Sequence, residues 1–379
     1  MFSWGANSYG QLGLGHQDDK SKPEKILKIP DGKIVDVTGG GGHTLLLTDC
    51  GAIYSCGWNS KGQLGLGHTD NLSVFKRIDH LPPVIKVTCG WDFCLAITEV
   101  GDLYAWGCNV FGQLGIPEID SFTAIPTKIQ IFSRNVTSIA AGLRHSLAVT
   151  NDGKLWSWGS ARKGQLGNDQ SKTGYQLLQR VPKQVHKLEN ISSVSSGSYH
   201  STALTACGNM YLWGSNKHNQ LTNSVQGVVQ SGGSSKEDIL PVPTKLNLEL
   251  FGGRQILAVH SGWTHILAIT HDSNVFGWGR NDYSQLGISL TGNNCAKKDV
   301  TKPKELVILK DIKQIACGSE HNLALSDDNK VLAWGWNEHG SCGNGKEENV
   351  LTPQVIDDLA KEKIRLIGIG AAHCFAVAS

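Results

Sequence analysis

Short runs of alternating apolar and polar positions recur along this 379-residue chain, as in Ser146-Leu-Ala-Val-Thr150 and Ile266-Leu-Ala-Ile-Thr270. Runs this short, β-prone and bounded by turn residues predict strands rather than helices. Each follows a glycine, two variable residues and usually a histidine, in copies beginning at Gly40, Gly90, Gly142, Gly197, Gly262, Gly318 and Gly370. A further β-prone run precedes each glycine, such as Ile34 to Thr38 or Ile312 to Ala316. Turn residues such as Asn151-Asp-Gly153 follow and favour a hairpin. Next comes a strand ending in Trp-Gly, with Trp4, Trp106, Trp158, Trp213, Trp278 and Trp334, and with Cys56 in the remaining copy. A tight Gly-Gln-Leu-Gly segment comes after it at 10–13, 62–65, 112–115 and 164–167, and decays in later copies.

That makes four short extended segments per repeat, seven times over, with a period of roughly fifty residues. One such sheet cannot bury both faces alone, so neighbours must stack, and radial closure leaves few edges exposed. The expected fold is therefore all-β: a seven-bladed β-propeller with four-stranded blades, a single domain over residues 1–379. The first and last fragments are complementary. Phe2 to Trp4 is expected to pair with His373 to Ala378, closing the ring in one shared blade.

Composition narrows the function. The 45 glycines suit many tight turns with positive φ. A formal charge of +2 and the absence of a basic block argue against nucleic-acid binding, which needs clustered Lys and Arg. The richest cluster, Lys20 to Lys28, is interrupted by Pro23 and Glu24. No apolar run is long enough to cross a bilayer, and the first residues lack the pattern of a signal peptide. The ten cysteines lack Cys-x-x-Cys spacing and read as small buried residues, free thiols in a reducing compartment. No cofactor and no metal site is expected. Histidines placed once per repeat around a wide ring would not converge on one ion, and are expected to hydrogen-bond neighbouring loop backbone.

Chain direction places the candidate docking residues. In an up-and-down blade, the Gly-x-x-His loop and the loop after Trp-Gly lie at the same end. One rim is then expected to carry Trp91, Asp92, Arg144, Tyr199, Trp263, Thr264 and Glu320 from the first loop type. Arg280, Asp282, Trp336, Asn337 and Glu338 come from the second. Trp, Tyr and Arg dominate binding hot spots, and Trp91, Trp263 and Trp336 stand where most repeats carry small or polar residues. Packing between neighbouring blades is the competing reading for the tryptophans, and a solvated loop charge for each acid. No side-chain constellation of a classical enzyme appears.

Trp4-Gly-Ala-Asn-Ser-Tyr-Gly-Gln-Leu-Gly-Leu-Gly15 and Gly142-Leu-Arg-His-Ser-Leu-Ala148 resemble the regulator of chromosome condensation repeat family along the whole chain. Within that family, Cys89-Gly-Trp-Asp-Phe93, Ser261-Gly-Trp-Thr-His265 and Trp334-Gly-Trp-Asn-Glu-His-Gly340 are most similar to guanine nucleotide exchange factors linked to secretion. The resemblance implies a cytoplasmic propeller, also nuclear, that binds a small GTPase of the Ras superfamily and vesicle-tethering (exocyst) components in exocytosis. A monomer without nucleic-acid binding or membrane insertion is expected. The family's exchange element is a β-wedge replacing one Gly-Gln-Leu-Gly turn, whereas the first four copies here are intact. The largest insertion, Ser224 to Asp238, reads as a flexible loop. A noncatalytic interaction scaffold therefore stands beside the exchange factor as an alternative.

Overall fold

The computed structural model describes residues 1–29, 31–79, 81–132, 135–168, 177–222, 229–230, 238–288 and 299–379. Most of the 224–238 insertion thus lies outside the described residues. Each repeat forms the strands its pattern predicts. One set is Val136–Ala141, His145–Thr150, Leu155–Ser160 and Leu178–Gln184, paired antiparallel in that order. The second strand is buried at every position, although its sequence alternates. The reason is stacking: neighbouring sheets cover both of its faces, so its polar positions must find partners inside. Among the described residues, no helix is long and apolar enough to cross a membrane.

The terminal strands meet. Phe2 pairs with Ala376, Ser3 with Phe375, Trp4 with Cys374 and Gly5 with His373. The expectation of seven separate four-stranded blades is corrected, however. Among the described residues there are six hydrogen-bonded sheets, and only four of them have four strands. The sheet that contains both termini has eight strands, because Ile369 and Thr38 pair in parallel and join Ile364–Ile369 to Ile34–Gly39. Inner strands of successive repeats converge at the axis, and there they come close enough for backbone pairing. A further sheet has five strands, since Val229–Gln230 adds to Asp238–Lys245.

The recurring side chains hold each repeat to the one before it. The indole of Trp158 is fully buried and donates to the Gln113 carbonyl at 2.8 Å. Trp106 donates likewise to Gln63, Trp213 to Gln165, Trp278 to Gln220 and Trp334 to Gln285. Trp4 completes the circuit by donating to the Ser341 carbonyl at 2.9 Å. The Gly-Gln-Leu-Gly turn therefore presents a carbonyl to its neighbour. The turn itself is held by Asn109 Oδ1 accepting from Leu114 N, and by Gln113 Oε1 accepting from Phe111 N.

The loop histidines act between repeats through side chains, rather than on loop backbone as expected. His145 Nε2 meets Ser201 Oγ at 2.9 Å, His265 meets Asn322 Oδ1 at 2.7 Å and His373 meets Thr44 Oγ1 at 2.9 Å. His200 differs, because the equivalent residue of the next repeat is Ile266 and, among the described residues, neither ring nitrogen has a partner. Burial pushes His145, His200, His321 and His373 down to about 3, and His265 to about 4. Unfolded histidine takes up a proton below about pH 6.5, while these rings stay neutral in the fold. Their contribution to stability is thus intact above that pH and is lost as the pH falls toward 3–4. His200→Phe, which installs the residue that Phe93 already supplies in another repeat, is expected to remain within about 1 kcal/mol of the parent at pH 7.5. Between pH 6.5 and 4 its melting temperature should fall less than the parent's, as followed by circular dichroism. An equal or steeper acid loss would contradict this account of His200.

Candidate functional site

Backbone hydrogen bonds establish that both loop types share one end of the ring. Ser160 N donates to Arg144 O, Ser215 N to Tyr199 O, Arg280 N to Thr264 O and Trp336 N to Glu320 O, at 2.8–3.0 Å. The first residue after each Trp-Gly step is thereby tied to the residue preceding the loop histidine. Neighbouring Gly-x-x-His loops are linked too: Gly41 N donates to Trp91 O, Ser198 N to Trp263 O and Trp263 N to Ser319 O. With Ser319 N donating to Ala371 O and Ala371 N to Gly40 O, the loops beginning at Gly197, Gly262, Gly318, Gly370, Gly40 and Gly90 interlock around the mouth of an axial cavity. That cavity has a volume of about 560 Å³ and is walled by the inner strands, with Lys86, His260 and Cys89 among its lining residues.

Trp91 and Trp263 come together although they belong to distant repeats. Both are half-buried, their ring centroids are 5.2 Å apart at 53°, and both line the cavity. Trp336 belongs to a different cluster, where its ring meets His339 edge-on at 5.4 Å. His339 Nδ1 in turn lies 2.8 Å from Asp19 Oδ2. The three added tryptophans thus do not form one patch.

Thr264, Arg280, Asp282 and Glu320 form one network. Glu320 is buried and accepts from Arg280 Nη1 and Thr264 Oγ1, each at 3.1 Å, and from Gln285 Nε2. Arg280 Nε also donates to Asp282 Oδ2 at 2.8 Å, and its guanidinium lies 5.0 Å from the Tyr283 ring centre. Burial pushes the Glu320 carboxyl above its usual range, opposed by Arg280. This acid holds loops together and is not free to meet a basic partner. Asp92 is half-buried and is likewise raised by burial. Tyr199 is half-buried. Arg144 is exposed, with its guanidinium 4.1 Å from the centre of the Phe111 ring, and Glu338 is exposed.

Asn337 is architecture. It is fully buried, accepts from Cys342 N at 2.7 Å and donates to Lys346 O and Glu348 O. Asn7 and Asn59 make the same set of bonds in their own repeats. The recurring Trp-Gly-x-Asn spacing was the signal for that role. Conversely, sequence reasoning passed over an aromatic pair near these loops. Tyr9 and Trp58 stack at 5.4 Å, with Tyr9 40% exposed. The signal was present: Trp58 follows Cys56-Gly57 at the position where Trp336 follows Trp334-Gly335.

Known proteins match this chain along most or all of its length. The secretion-regulating guanine nucleotide exchange factor of Mus musculus is 41% identical over 399 aligned residues, covering 100% of this chain and 83% of that protein. The ultraviolet-B receptor UVR8 of Arabidopsis thaliana is 33% identical over 363 residues, covering 94% of this chain and 78% of the receptor. Among solved structures, Prp20p from Saccharomyces cerevisiae, described with its binding to Gsp1p and histones, superposes with a TM-score of 0.85. It is 25% identical and covers 99% of this chain and 90% of its own. The family model of the RCC1-like domain matches residues 1–376, and the chain belongs to that family.

Proposed function

We propose that the interlocked loop face docks a small GTPase of the Ras superfamily and accelerates release of its guanine nucleotide. The observation that carries this reading is the full-length likeness, at 41% identity, to the mouse exchange factor. Exchange needs no catalytic side chains of the enzyme type. A factor that binds the nucleotide-free GTPase more tightly than the loaded one lowers the barrier to release by that difference. The half-buried Trp91–Trp263 pair supplies apolar area at the centre of the face, and exposed Arg144 and Glu338 supply charge farther out. The relatives' name suggests a place in secretion. Exocyst components as further partners and a cytoplasmic and nuclear location are part of the same proposal, carried by the family resemblance of the repeats.

A panel of purified GTPases carrying a fluorescent guanine nucleotide tests the reading. At least one member should lose nucleotide faster with the propeller present, and Trp263→Ala should reduce that acceleration by roughly 30-fold, the effect of a 2 kcal/mol hot spot. Failure of every GTPase to bind or to exchange would overturn it. The second reading, a scaffold that binds without exchanging, draws on two observations. The early Gly-Gln-Leu-Gly turns are occupied in repeat-to-repeat bonding, and Glu320 is engaged internally. Tight binding with unchanged nucleotide release would select it.

A further inference from the structure

His43, Cys89 and Cys94 converge beneath the loop face. His43 Nε2 lies 3.1 Å from Cys94 Sγ, and Cys94 Sγ lies 3.9 Å from Cys89 Sγ. All three ligand atoms fall within 4.8 Å of one another, the one such His/Cys/Asp/Glu group among the described residues. His43 and Cys94 have no exposed surface, whereas Cys89 borders the axial cavity beside Thr38 to Gly41 and Trp91.

Part of this set is ordinary architecture. Cys94 occupies the position that Ser201, Asn322 and Thr44 hold when they meet the histidine of the preceding repeat. The addition is Cys89, which stands directly opposite Cys94 across the hairpin. Among the described residues, no other loop histidine faces two thiols. His321 meets Cys374, but the residue opposite Cys374 is Ile369; Cys317 stands opposite Asn322, the partner of His265. Two thiols and an imidazole are soft donors that favour d¹⁰ cations over Mg²⁺ or Ca²⁺.

We propose that His43 Nε2 and the Cys89 and Cys94 sulfurs bind one thiophilic cation, Zn²⁺ or Cu⁺, at the wall of the axial cavity. Metal–sulfur bonds of about 2.3 Å in a tetrahedron place two sulfurs roughly 3.8 Å apart, close to the separation already present. The imidazole must retreat from Cys94 by roughly 0.4 Å to reach bonding geometry. Cu⁺ is satisfied by these three donors, and Zn²⁺ takes a water from the cavity as its fourth. On binding, each thiol that coordinates gives its proton to solvent. Because His43 and the two cysteines belong to different sheets, the ion staples them together.

The test uses the full chain, reduced and freed of metal with a chelator. Zn²⁺ is titrated against a chromophoric chelator, and Cu⁺ anaerobically against a Cu⁺-selective one. One equivalent of at least one ion should bind with a Kd below about 1 µM. Cys89→Ser and Cys94→Ser install the residue found at the matching positions 196 and 201, so the fold tolerates them. Each should weaken binding by at least about 100-fold, beyond what outer-shell changes produce. Cys317→Ser, at the same loop position in another repeat, should bind as the parent does. Co²⁺ should give a thiolate charge-transfer band that both site variants lose. Absence of stoichiometric binding by either ion would overturn the proposal. So would binding that survives Cys89→Ser, or a Cys89–Cys94 disulfide persisting in the reduced protein.

Discussion

A chain ending at Ala372 is expected to lose its cooperative melting transition, or to melt at least about 15 °C below the intact protein. The deleted segment, His373 to Ser379, contains a strand bonded on both edges, to Phe2–Gly5 and to Ile364–Ile369. Cys374, Phe375 and Ala376 are fully buried within it. Removing Phe375 alone costs about 3–5 kcal/mol by the usual core truncation scale. The rest of the strand adds two rows of backbone hydrogen bonds and leaves the inner faces of both neighbours exposed. Total stabilities of roughly 5–15 kcal/mol leave no reserve for such a loss. Differential scanning calorimetry of the truncated and intact chains decides the matter. A truncated protein that melts within a few degrees of the intact one would mean the ring is not held shut by this pairing.

Gly159→Ala is expected to destabilise the protein by about 4 kcal/mol or more, in the range reserved for severe single changes. Gly159 has φ +105°, and a Cβ there would sit 2.6 Å from the Arg144 carbonyl oxygen and 2.8 Å from His145 Cα. Both obstacles are backbone, fixed by the Ser160 N to Arg144 O bond that ties the two loops. Nothing flexible is available to move aside. Gly67 separates the two contributions, since it has φ +81° with nothing within 4 Å of a built Cβ. Gly67→Ala should therefore cost only the left-handed backbone penalty, about 1–2 kcal/mol. Urea unfolding of both variants measures the difference. A loss at position 159 no larger than that at 67 would show that the loops can part, against the rigid face described above.

Much of the candidate site was legible because chain direction is a strong constraint. Once strands alternate, both loop types must emerge at one end, and the hydrogen bonds from Arg280 to Thr264 and from Trp336 to Glu320 place them there. What each side chain does there was far less legible. Glu320 and Asp282 read as surface acids, yet Arg280 spans 40 residues of sequence to bond one and two residues to bond the other. Asn337 by itself reads as a rim contact, whereas its equivalence with Asn7 and Asn59 marks it as the anchor of a repeating turn. The number of hydrogen-bonded sheets is not legible locally. A single Ile369–Thr38 bridge depends on how closely two inner strands approach, and no local pattern encodes that distance.

By itself the amino-acid order determined the strand pattern, the phase of the repeats and the complementarity of the two ends. These follow from short-range periodicity and from turn chemistry, which act within one repeat or between adjacent ones. Only the tertiary structure decided that Trp91 meets Trp263, that Glu320 is internally neutralised, and that His43 reaches two cysteines of the next repeat. The physical reason is radial closure. Bending the array into a ring brings residues far apart in the chain within a few ångströms near the axis, and the separation there depends on packing around the whole circle.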